Sequence, residues 1–578
     1  MARLEDFRGI EGTNFFEQDR GFQTLVGDLL PYDQRQEIFA SLRECGAQVG
    51  GRWDELAREA SRNENLPRII KLDRVGLPQE RVDFGSLTRQ LRREVAELSV
   101  LTGTRSELHK FALVYLLAHN GEASLMCGMS CTDGLIRAIE ARGSQFLRET
   151  YLPLLGSVET PLAGAQFVTE KDGGSDVGAI ETEATPNADG TWSVTGHKWF
   201  CSNPDEYFAV AARPAGAPRG TEKGGAERRG TEGLGLFMIP RVTADGRVNR
   251  IRYRRLKDKL GTRSLPTAEI DFEGATAYAI GEVGEGFKTL MNYVINASRL
   301  HNAANACGFL HRAFLEARNY ARQREAFSQP IINYPLIQET LITLLERSWR
   351  ARLLTFRLIS LVDQNSIAPA DAGQAMWQRF LTNLAKYRTA SDLMDSIRQA
   401  ILVLGGNGIV EDFTVLPRLL RDALIIETWE GPPNTLCLQI MRDSARSDLF
   451  ARWRSEINNA LERWPADFLA ATRKRFEQAF RQTTDAISAD RLSDPRWVAT
   501  HARRVVDRMG SLLELAWMID AALRHWETDA TSGLLAAAAA QNILPGDSPF
   551  DSPTTEAISG NAQALIAEEV VECDLSRL

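Results

Sequence analysis

The 578-residue sequence has few cysteines and few histidines, and their positions exclude the familiar metal-site patterns. The seven cysteines are scattered, and only Cys127 and Cys131 are close enough to share one helical face. Neither has a histidine or a second cysteine pair nearby at the spacing of a zinc site. None of the seven histidines forms an HxxxH or HxH pattern. We therefore expect no metal centre, and reduced thiols of a mostly structural kind.

Long apolar runs and an excess of positive charge are also missing. No stretch of about eighteen apolar residues occurs, so we expect no membrane span. The N-terminal segment MARLEDFRGIEG lacks the apolar core of a secretion signal, which favours a cytoplasmic protein. Lys and Arg total 68 against 76 Asp and Glu, a net charge of −8. This balance does not favour nucleic acid as the default partner.

The chain is too long for one hydrophobic core. The spacing of apolar and turn-forming residues divides it into four parts. Residues 1–160 carry apolar residues at helical spacings of three and four. Residues 161–284 hold short β-rich segments divided by Gly, Pro and Asp, which predicts a small antiparallel, barrel-like β-domain. Residues 285–445 return to long amphipathic helices, as in an antiparallel bundle. Residues 446–578 form a further helical extension.

Several segments inside these parts have a plain structural reading. The small, apolar run Gly121–Ser130 either packs tightly as a helix or lines a ligand tunnel, and packing is favoured. Pro214–Gly233 is predicted to be a surface loop, and Gly546–Thr555 a linker. Residues 442–508 hold 14 Lys and Arg against 10 Asp and Glu, whereas 509–578 hold 2 against 11. A solvated face or an internal charge match is favoured over a nucleic-acid surface.

The stretch Phe167–Asn203 combines two halves that suit a flat ligand. The first half contains the turn-rich segment Thr169–Asp176, whose two glycines let the backbone approach a ligand closely. The second half, Thr191–Cys201, alternates as a β-strand does. Hydroxyls in both halves can donate or accept hydrogen bonds. Taken alone, the glycine segment is no more than a loop between strands.

Five further motifs follow this stretch and give it a context. They are Leu256–Arg263 (LKDKLGTR), Gly284–Lys288 (GEGFK), Arg324–Ser328 (REAFS), Leu404–Ile409 (LGGNGI) and Trp429–Gly431 (WEG). In this order the motifs resemble the acyl-CoA dehydrogenase family over roughly residues 80–445. The resemblance implies an α+β, mainly α fold with an N-terminal helical domain, a middle antiparallel β-domain and a C-terminal four-helix bundle. It also implies FAD as cofactor and an acyl-CoA as substrate.

The wording of three motifs is closer to one branch of that family. Thr169–Val177, His197–Phe200 and Arg255–Gly261 resemble the alkylation-response branch more than the enzymes of fatty-acid β-oxidation. Proteins of that branch bind FAD and have a C-terminal helical extension reported as DNA-associated. Likeness to this branch therefore also implies a helical extension after the bundle.

By this resemblance, Glu430 is the catalytic base. Dehydrogenation removes a proton from the α-carbon, and a poorly hydrated carboxylate is a more reactive base. The Glu430 backbone N–H would hold the thioester oxygen as charge develops, and Gly431 keeps the neighbouring backbone uncluttered. Without the other motifs, an exposed glutamate at a helix break before Pro432 and Pro433 is the simpler reading.

The resemblance also implies the residues around the cofactor and the substrate. Ser202 would hydrogen-bond the flavin, Phe200 would pack beside its ring, and Thr169 would contact the pyrimidine side. Arg324 would pair with the pyrophosphate, because its planar fork suits phosphate geometry. The further contacts implied are Gly174, Ser175, Phe327, Gly405, Gly406 and Asn434 for FAD, and Ser175, Asn296, Arg299 and Gly431 for the substrate. By the same resemblance, Gly405 and Gly406 would contact the FAD of a neighbouring subunit, which implies a homodimer or homotetramer.

The sequence departs from the family pattern at a few positions. Pro335 and Leu402 stand where the family commonly has a glutamine that touches FAD, and Ser328 stands where glycine is usual. Pro432 and Pro433 replace small hydroxyl residues.

Three functions remain open at this point. The favoured one is an FAD-dependent acyl-CoA dehydrogenase, with an electron-transfer protein among the acceptors considered. The second is a DNA-associated alkylation-response flavoprotein with weak or no dehydrogenase turnover. The third is a flavin oxidase or monooxygenase on the same fold.

Overall fold

The computed structural model describes residue 7 and residues 9–217, 230–367, 370–544 and 553–578. Most of these residues are helical. The helices are α1 (Arg20–Leu29), α2 (Tyr32–Gly50), α3 (Arg52–Ala60), α4 (Ser86–Glu97), α5 (Glu107–Ala118), α6 (Ala123–Arg142), α7 (Gln145–Tyr151), α8 (Gly286–Thr289), α9 (Asn296–Gln323), α10 (Pro335–Ile367), α11 (Ala372–Leu404), α12 (Leu416–Thr428), α13 (Pro433–Arg446), α14 (Leu449–Arg463), α15 (Ala470–Ala486), α16 (Ala489–Ser493), α17 (Pro495–His525), α18 (Thr531–Ile543), α19 (Pro553–Gly560) and α20 (Ala562–Ala567).

The strands are shorter and concentrate in the middle of the chain. They are β1 (Arg68–Leu72), β2 (Pro78–Asp83), β3 (Gly164–Phe167), β4 (Glu183–Pro186), β5 (Trp192–Ser202), β6 (Tyr207–Pro214), β7 (Gly235–Pro240), β8 (Ile251–Leu256), β9 (Thr267–Ala279), β10 (Glu325–Ala326) and β11 (Gln329–Pro330). The predicted fold class, α+β and mainly α with a β-rich middle and a helical extension, is confirmed.

The chain forms two compact units. The bundle unit contains residues 1–52, 106–120 and 302–578, and the sheet unit contains residues 53–105 and 121–301. The border between the units therefore falls inside α9. The division into four parts, made from the sequence pattern, stays a prediction.

Seven strands form the sheet of the sheet unit. Its order is β3-β6-β4-β5-β9-β7, with β8 on β9, and β7 also pairs with β6. This last pairing closes five of the strands into a ring, around a core that includes Phe167, Val194, Phe208, Tyr253 and Ile270. Most pairs are antiparallel, as expected, but β3 and β4 both run parallel to β6.

The two parallel pairings explain why the chain makes a long excursion after β3. β3 pairs with residues 207–210 of β6, and β4 pairs with residues 213 and 214 of the same strand. The backbone N–H groups of Tyr207, Arg213 and Ala215 donate to β3 and β4 or to the residues just before them. These donors are an even number of residues apart, so they point to one edge of β6. Residues 168–182 therefore bulge out from that edge before the chain returns to it.

A β-hairpin interrupts the part of the chain that was expected to be helical throughout. β1 pairs with β2, and residues 73–77 connect them. Gly76 has φ +85°, a conformation that glycine adopts without strain. Val82 and Phe84 belong to the core of the sheet unit. Tertiary packing therefore decided the structure of this segment, which is too short to show a clear period.

The bundle unit is built around two helices of 33 residues, α10 and α11. Arg347 on α10 binds Asp395 on α11 at 2.6 Å, which places the start of α10 beside the end of α11. Of the extension, α17 packs against both helices, with its buried Glu514 carboxylate 2.8 Å from Arg350 and 2.9 Å from Arg388. The extension is therefore integral to the core of this unit.

Three segments singled out in the sequence reach beyond the described residues. The predicted surface loop Pro214–Gly233 follows β6, and its residues 218–229 lie outside the description. The same holds for residues 546–552 of the linker, while Pro553 already begins α19. Residues 1–6 and 8 of the N-terminal segment also lie outside it. Among the residues that are described, no helix has the length and apolar character needed to cross a membrane.

Candidate functional site

Residues predicted to contact the flavin gather at one edge of the sheet unit. The Trp199 N–H of β5 donates to the Thr169 carbonyl at 2.9 Å, so the excursion lies beside this strand. A Cβ at Gly174 would meet only the Thr169 methyl group, at 3.9 Å, which leaves the glycine open to a ligand. Phe200, on the same strand, exposes half of its side chain. Ser202 follows two residues later, its Oγ 3.0 Å from the Thr267 hydroxyl.

A buried ion pair braces this excursion. The Glu170 carboxylate accepts the Lys198 ammonium at 2.7 Å and the backbone N–H groups of Glu181 and Thr182 at 2.6 and 3.1 Å. Burial opposes ionisation of Glu170, but Lys198 and the hydrogen bonds outweigh it and lower the pKa of the carboxyl group. Burial lowers the pKa of Lys198, although its partner counteracts this. The two ends of the excursion are thus fixed to β5. Sequence reasoning missed this pair, because its members are 28 residues apart and match no local motif.

A lysine lies over the two aromatic rings at the end of β5. The Lys257 ammonium is 3.2 Å from the centroid of the Trp199 ring and 4.8 Å from that of Phe200. The same ammonium group also donates to the Glu269 carboxylate, at 2.9 Å. A cation over an aromatic face is a favourable contact, and here it orients the exposed Phe200 ring. Lys257 falls within the motif Leu256–Arg263, but no pattern in the sequence indicates this contact.

Asn203, immediately after Ser202, is fixed from two directions. Its φ of +55° is left-handed, and its side-chain amide donates to the carbonyls of Leu162 and Gly164 at 2.9 and 2.8 Å. The fully buried Arg92 donates to its side-chain oxygen. A left-handed asparagine with a fully used side chain makes a rigid corner. The position of Ser202 is therefore set by the packing of three separate segments.

Two of the predicted substrate-contacting residues, Asn296 and Arg299, lie in the first turn of α9. A π-helical turn, Leu290–Ile295, directly precedes Asn296, and such turns are frequent at functional sites. Ser298 lies 3.1 Å from the Gln166 side chain of β3, which anchors this end of the helix to the sheet. Arg299 is buried, with only 4% of its surface exposed.

In the bundle unit, Arg324 directly precedes a very tight hairpin, and Phe327 lies in the turn of that hairpin. β10 and β11 are joined by Phe327 and Ser328, which have φ of +50° and +76°. Two central residues with positive φ are characteristic of a type I′ turn. This geometry explains why glycine is usual where Ser328 stands, and the serine adopts it at some cost in strain. The turn presents the Phe327 ring almost fully to solvent, at 93% exposure.

The paired glycines lie at the same end of the bundle unit. Gly405 ends α11 with φ +61°, and a Cβ at either Gly405 or Gly406 would meet nothing within 4 Å. Asn407 donates to the Tyr320 hydroxyl at 3.1 Å, one helical turn before Arg324. The glycine turn and the Arg324 hairpin are thus neighbours.

Glu430 and Gly431 connect α12 with α13. Both have positive φ, +57° and +110°, so the chain turns sharply between the two helices. Pro433 begins α13, and Asn434 is exposed in its first turn. Proline is well suited to the first position of a helix, since no N–H is needed there. The two prolines that depart from the family pattern therefore stiffen the turn that carries Glu430.

Each unit, taken by itself, carries groups that suit one part of FAD. The sheet unit offers an exposed aromatic ring, two half-buried hydroxyls at Thr169 and Ser202, and an open glycine backbone. The bundle unit offers the guanidinium of Arg324 beside an open glycine turn. Flat ring, hydroxyl and guanidinium are suited to an isoalloxazine, its polar edge and a pyrophosphate respectively.

Comparison with known proteins agrees with this geometry. Residues 165–275 match the family model described as acyl-CoA dehydrogenase, middle domain, and residues 284–445 match acyl-CoA dehydrogenase, C-terminal domain. Acyl-CoA dehydrogenase family member 11 of Caenorhabditis elegans is 29% identical over 74% of this chain and 70% of the relative. Putative acyl-CoA dehydrogenase AidB of Escherichia coli is 36% identical, over 48% of this chain and only 47% of the relative.

Solved structures share the whole fold. Caenorhabditis elegans ACDH-11 in complex with C11-CoA has a TM-score of 0.80 at 24% identity, over 100% of this chain and 95% of that one. An acyl-CoA dehydrogenase from Bacillus anthracis complexed with FAD has a TM-score of 0.68 at 17% identity, over 99% and 91%. At these identities the likeness concerns the fold alone.

Proposed function

Because this chain belongs to the acyl-CoA dehydrogenase family, a family of FAD-binding oxidoreductases, we propose that it oxidises the Cα–Cβ bond of an acyl-CoA thioester. One proton leaves the α-carbon, one hydride leaves the β-carbon, and a carbon–carbon double bond forms. When bound, FAD supplies the acceptor for the hydride. The observation that carries the proposal is the convergence of Thr169, Gly174, Phe200 and Ser202 on one edge of the sheet unit.

Glu430 is the proposed base that takes the α-proton. Its turn lies between two helices, and Glu430 is partly buried there, which suits proton abstraction because a poorly hydrated carboxylate is a more reactive base. The backbone N–H of the same residue is proposed to stabilise the thioester oxygen as negative charge develops. Gly431 leaves space beside this N–H.

The remaining predicted residues bind and orient. Thr169 and Ser202 are proposed to hydrogen-bond the polar edge of the flavin, with Phe200 packed beside its ring. Arg324 is proposed to pair with the pyrophosphate, supported by Phe327, Gly405, Gly406 and Asn434. Gly174 and Ser175 are proposed to approach the flavin, and Ser175, Asn296, Arg299 and Gly431 to contact the acyl-CoA.

Anaerobic flavin bleaching tests the proposal directly. Purified FAD-loaded protein is mixed without oxygen with a panel of acyl-CoAs that differ in chain length, branching and ring character. Loss of absorbance near the flavin maximum with at least one substrate is expected. Glu430→Gln should retain FAD but reduce the bleaching rate by about 100-fold or more, as for loss of a general base. Glu411→Gln, an exposed carboxylate bound to Arg421 in the same unit, is the matched control and should bleach normally.

Absence of bleaching with every acyl-CoA in the panel would contradict the proposed reaction. Normal bleaching by the Glu430→Gln variant would contradict the assignment of the base alone. Addition of an electron-transfer flavoprotein or a dye after bleaching identifies the acceptor by the return of the oxidised flavin spectrum.

An oligomer is also proposed, from exposed apolar side chains at one end of the bundle unit. Phe327, Leu336, Leu402 and Ile409 all expose well over half of their surface. The start of α10 and the end of α11 lie side by side, so these residues belong to one region. Contiguous exposed apolar surface of this kind usually marks a protein contact. A homodimer or homotetramer that covers this end is the expected assembly.

One observation keeps the DNA-associated alternative open. Lys474, Arg481, Arg491, Arg496 and Arg504, on or beside α15–α17, all have exposed side chains. The wording of the resemblance to the alkylation-response branch points the same way. This function predicts duplex binding whose affinity falls steeply with salt. No binding at low salt would remove it, whatever the bleaching experiment shows.

A further inference from the structure

Glu430 has a left-handed backbone conformation that the residues of its own turn do not stabilise. Glutamate has a Cβ, and a φ of +57° brings this atom close to the following carbonyl oxygen. A relaxed glutamate would return to the right-handed or extended region. Pro432 restricts the residue before it, but it does not restrict Glu430. Side chains from elsewhere must therefore keep Glu430 in place.

The last carbonyls of α12 show where this support comes from. A helix leaves its final four carbonyl groups without partners inside the helix. The Ile425 carbonyl accepts the Trp429 N–H at 3.1 Å, which is a local contact. The Ile426 carbonyl accepts the side-chain amide of Asn302 on α9 at 3.1 Å. The Glu427 carbonyl accepts the ammonium of Lys386 on α11 at 2.8 Å.

Lys386 differs from the other donors because it contacts both sides of Glu430. Its Nζ also donates to the Gly431 carbonyl at 2.8 Å, so one ammonium group bridges a carbonyl three residues before the base and one immediately after it. The side chain is buried, with 1% of its surface exposed. A cation at the C-terminal end of a helix is favoured by the helix dipole, and α12 ends at Thr428. Rotation about the Glu430 backbone would break at least one of the two bonds.

We infer that Lys386 is a positioning residue, which holds the left-handed turn and thereby fixes the carboxylate of Glu430 for proton abstraction. The inference rests on the proposed function for its chemical consequence. Its structural part, the hold on the turn, stands on the two hydrogen bonds alone. A displaced base loses rate while substrate and cofactor contacts remain, since those contacts come from other residues.

Two substitutions separate the hydrogen bonds of Lys386 from its bulk. Lys386→Met keeps a long unbranched stem but removes every donor. Lys386→Gln keeps two N–H donors on a shorter stem. The matched control is Arg475→Met, because Arg475 likewise bridges two carbonyls, of Ala540 and Leu544 at the end of α18, at 3.2 and 2.8 Å.

The first readout is single-turnover flavin reduction by the best acyl-CoA from the panel. Lys386→Met should reduce the limiting rate constant by roughly 10- to 100-fold, as for a base misplaced by a fraction of an ångström to one ångström. FAD content and the apparent dissociation constant of the acyl-CoA should stay within about threefold of the wild type, because a positioning role affects rate more than binding. Lys386→Gln should recover most of the rate. Arg475→Met should reduce flavin at the wild-type rate.

The second readout needs no activity. Amide hydrogen exchange of a peptide that covers residues 425–436 should become faster in Lys386→Met, and stay slow in Arg475→Met, because local opening depends on local hydrogen bonds. Wild-type exchange of this peptide in Lys386→Met would overturn the inference, and so would a wild-type rate of flavin reduction. If Lys386→Met does not fold, Lys386→Gln gives the same comparison with a smaller change. If the wild type is not bleached by any acyl-CoA but the exchange result holds, the proposed reaction fails while Lys386 remains the support of the turn.

Discussion

Asp19, at the start of α1, is a buried carboxylate with several partners in the bundle unit. It is fully buried, accepts the Phe22 N–H at 2.9 Å, and binds the guanidinium of Arg352 and the hydroxyl of Tyr115. His311 lies 3.4 Å from its second oxygen. Burial opposes ionisation, but Arg352, His311 and Tyr115 outweigh it and hold the pKa of Asp19 well below its usual range.

A second carboxylate continues this network at the other end of His311. Glu568 lies 3.7 Å from the His311 Nε2 and binds Arg318 at 3.0 Å. Asp19, His311 and Glu568 are close enough to hold a metal ion, with ligand atoms within 4.8 Å of one another. Two guanidinium groups already balance the two carboxylates, so an ordinary ion-pair network accounts for the cluster.

Asp19→Asn should therefore destabilise the protein in a pH-dependent manner. A carboxyl group with a lowered folded-state pKa stabilises fully above its unfolded value of about 3.9, and the effect is lost as the pH falls below that value. Breaking the pair should reduce the free energy of unfolding at pH 7 by about 3–5 kcal/mol. Urea unfolding at pH 7 and at several values below pH 5 measures both, and the variant should lose part of the acid dependence. Asp467→Asn, at an exposed position, is the control; equal losses in both variants would contradict the role of Asp19.

At single positions, motifs point to candidate site residues but not to the residues that support them. Thr169, Phe200, Ser202 and Glu430 are predicted as site residues because each stands in a short motif whose residues are neighbours along the chain, and their roles stay predictions. Lys386 was missed, because it contacts residues 41 and 45 positions later and belongs to no motif. Contacts of this range arise from helix packing, and a single sequence carries no record of them.

At the scale of elements, the β-rich middle of the chain and the long bundle helices are present as expected, whereas one short hairpin was not expected. The strands β3–β9 lie within residues 161–284, and the long bundle helices are α9, α10 and α11. The β1–β2 hairpin was missed. The two strands have five and six residues and only one buried side chain between them, that of Val82, which is too little for a period to show against helical neighbours.

Glu514 on α17 provides a test of how the extension is joined to the bundle. Burial opposes its ionisation, but Arg388 and Arg350 outweigh this and lower the pKa of its carboxyl group. Glu514→Gln leaves two buried guanidinium groups with less charge compensation, and should reduce the free energy of unfolding by about 3–5 kcal/mol. Glu462→Gln, exposed on α14, should change it by less than about 0.5 kcal/mol. Chemical denaturation of both variants at pH 7 gives the comparison, and similar midpoints would show that α17 is held by apolar contacts alone.

At the scale of the whole molecule, the distribution of charge has a structural explanation in part. The acidic end of the chain contributes Glu514, Asp520 and Glu568, and each binds a bundle arginine: Arg350 and Arg388, Arg357, and Arg318 respectively. The internal charge match expected between residues 442–508 and the acidic end stays a prediction: Arg463 binds Asp520, whereas the other pairs named here are with the bundle. The exposed arginines on α15–α17 are among the basic residues open to an external partner.

The exposed apolar end of the bundle unit allows a test of whether several copies of the chain assemble. Leu402 exposes 64% of its surface in the last turn of α11, beside the open turn at Gly405 and Gly406. Leu402→Glu would place a charge in a covered apolar contact, where an unpaired charge is strongly disfavoured. Light scattering after size-exclusion chromatography should therefore show a smaller particle than the wild type. Because Gly405 and Gly406 are proposed to contact the FAD of a neighbouring subunit, the variant should also retain less FAD after desalting.

A substitution elsewhere in the same helix separates this effect from a general loss of folding. Arg398→Glu also introduces a negative charge on α11, but at an exposed side chain that is 58% accessible and only pairs with Asp395 one turn away. It should keep the wild-type mass and FAD content. A Leu402→Glu protein with wild-type mass and FAD would show that this end of the bundle unit faces solvent, and that FAD is held within a single chain.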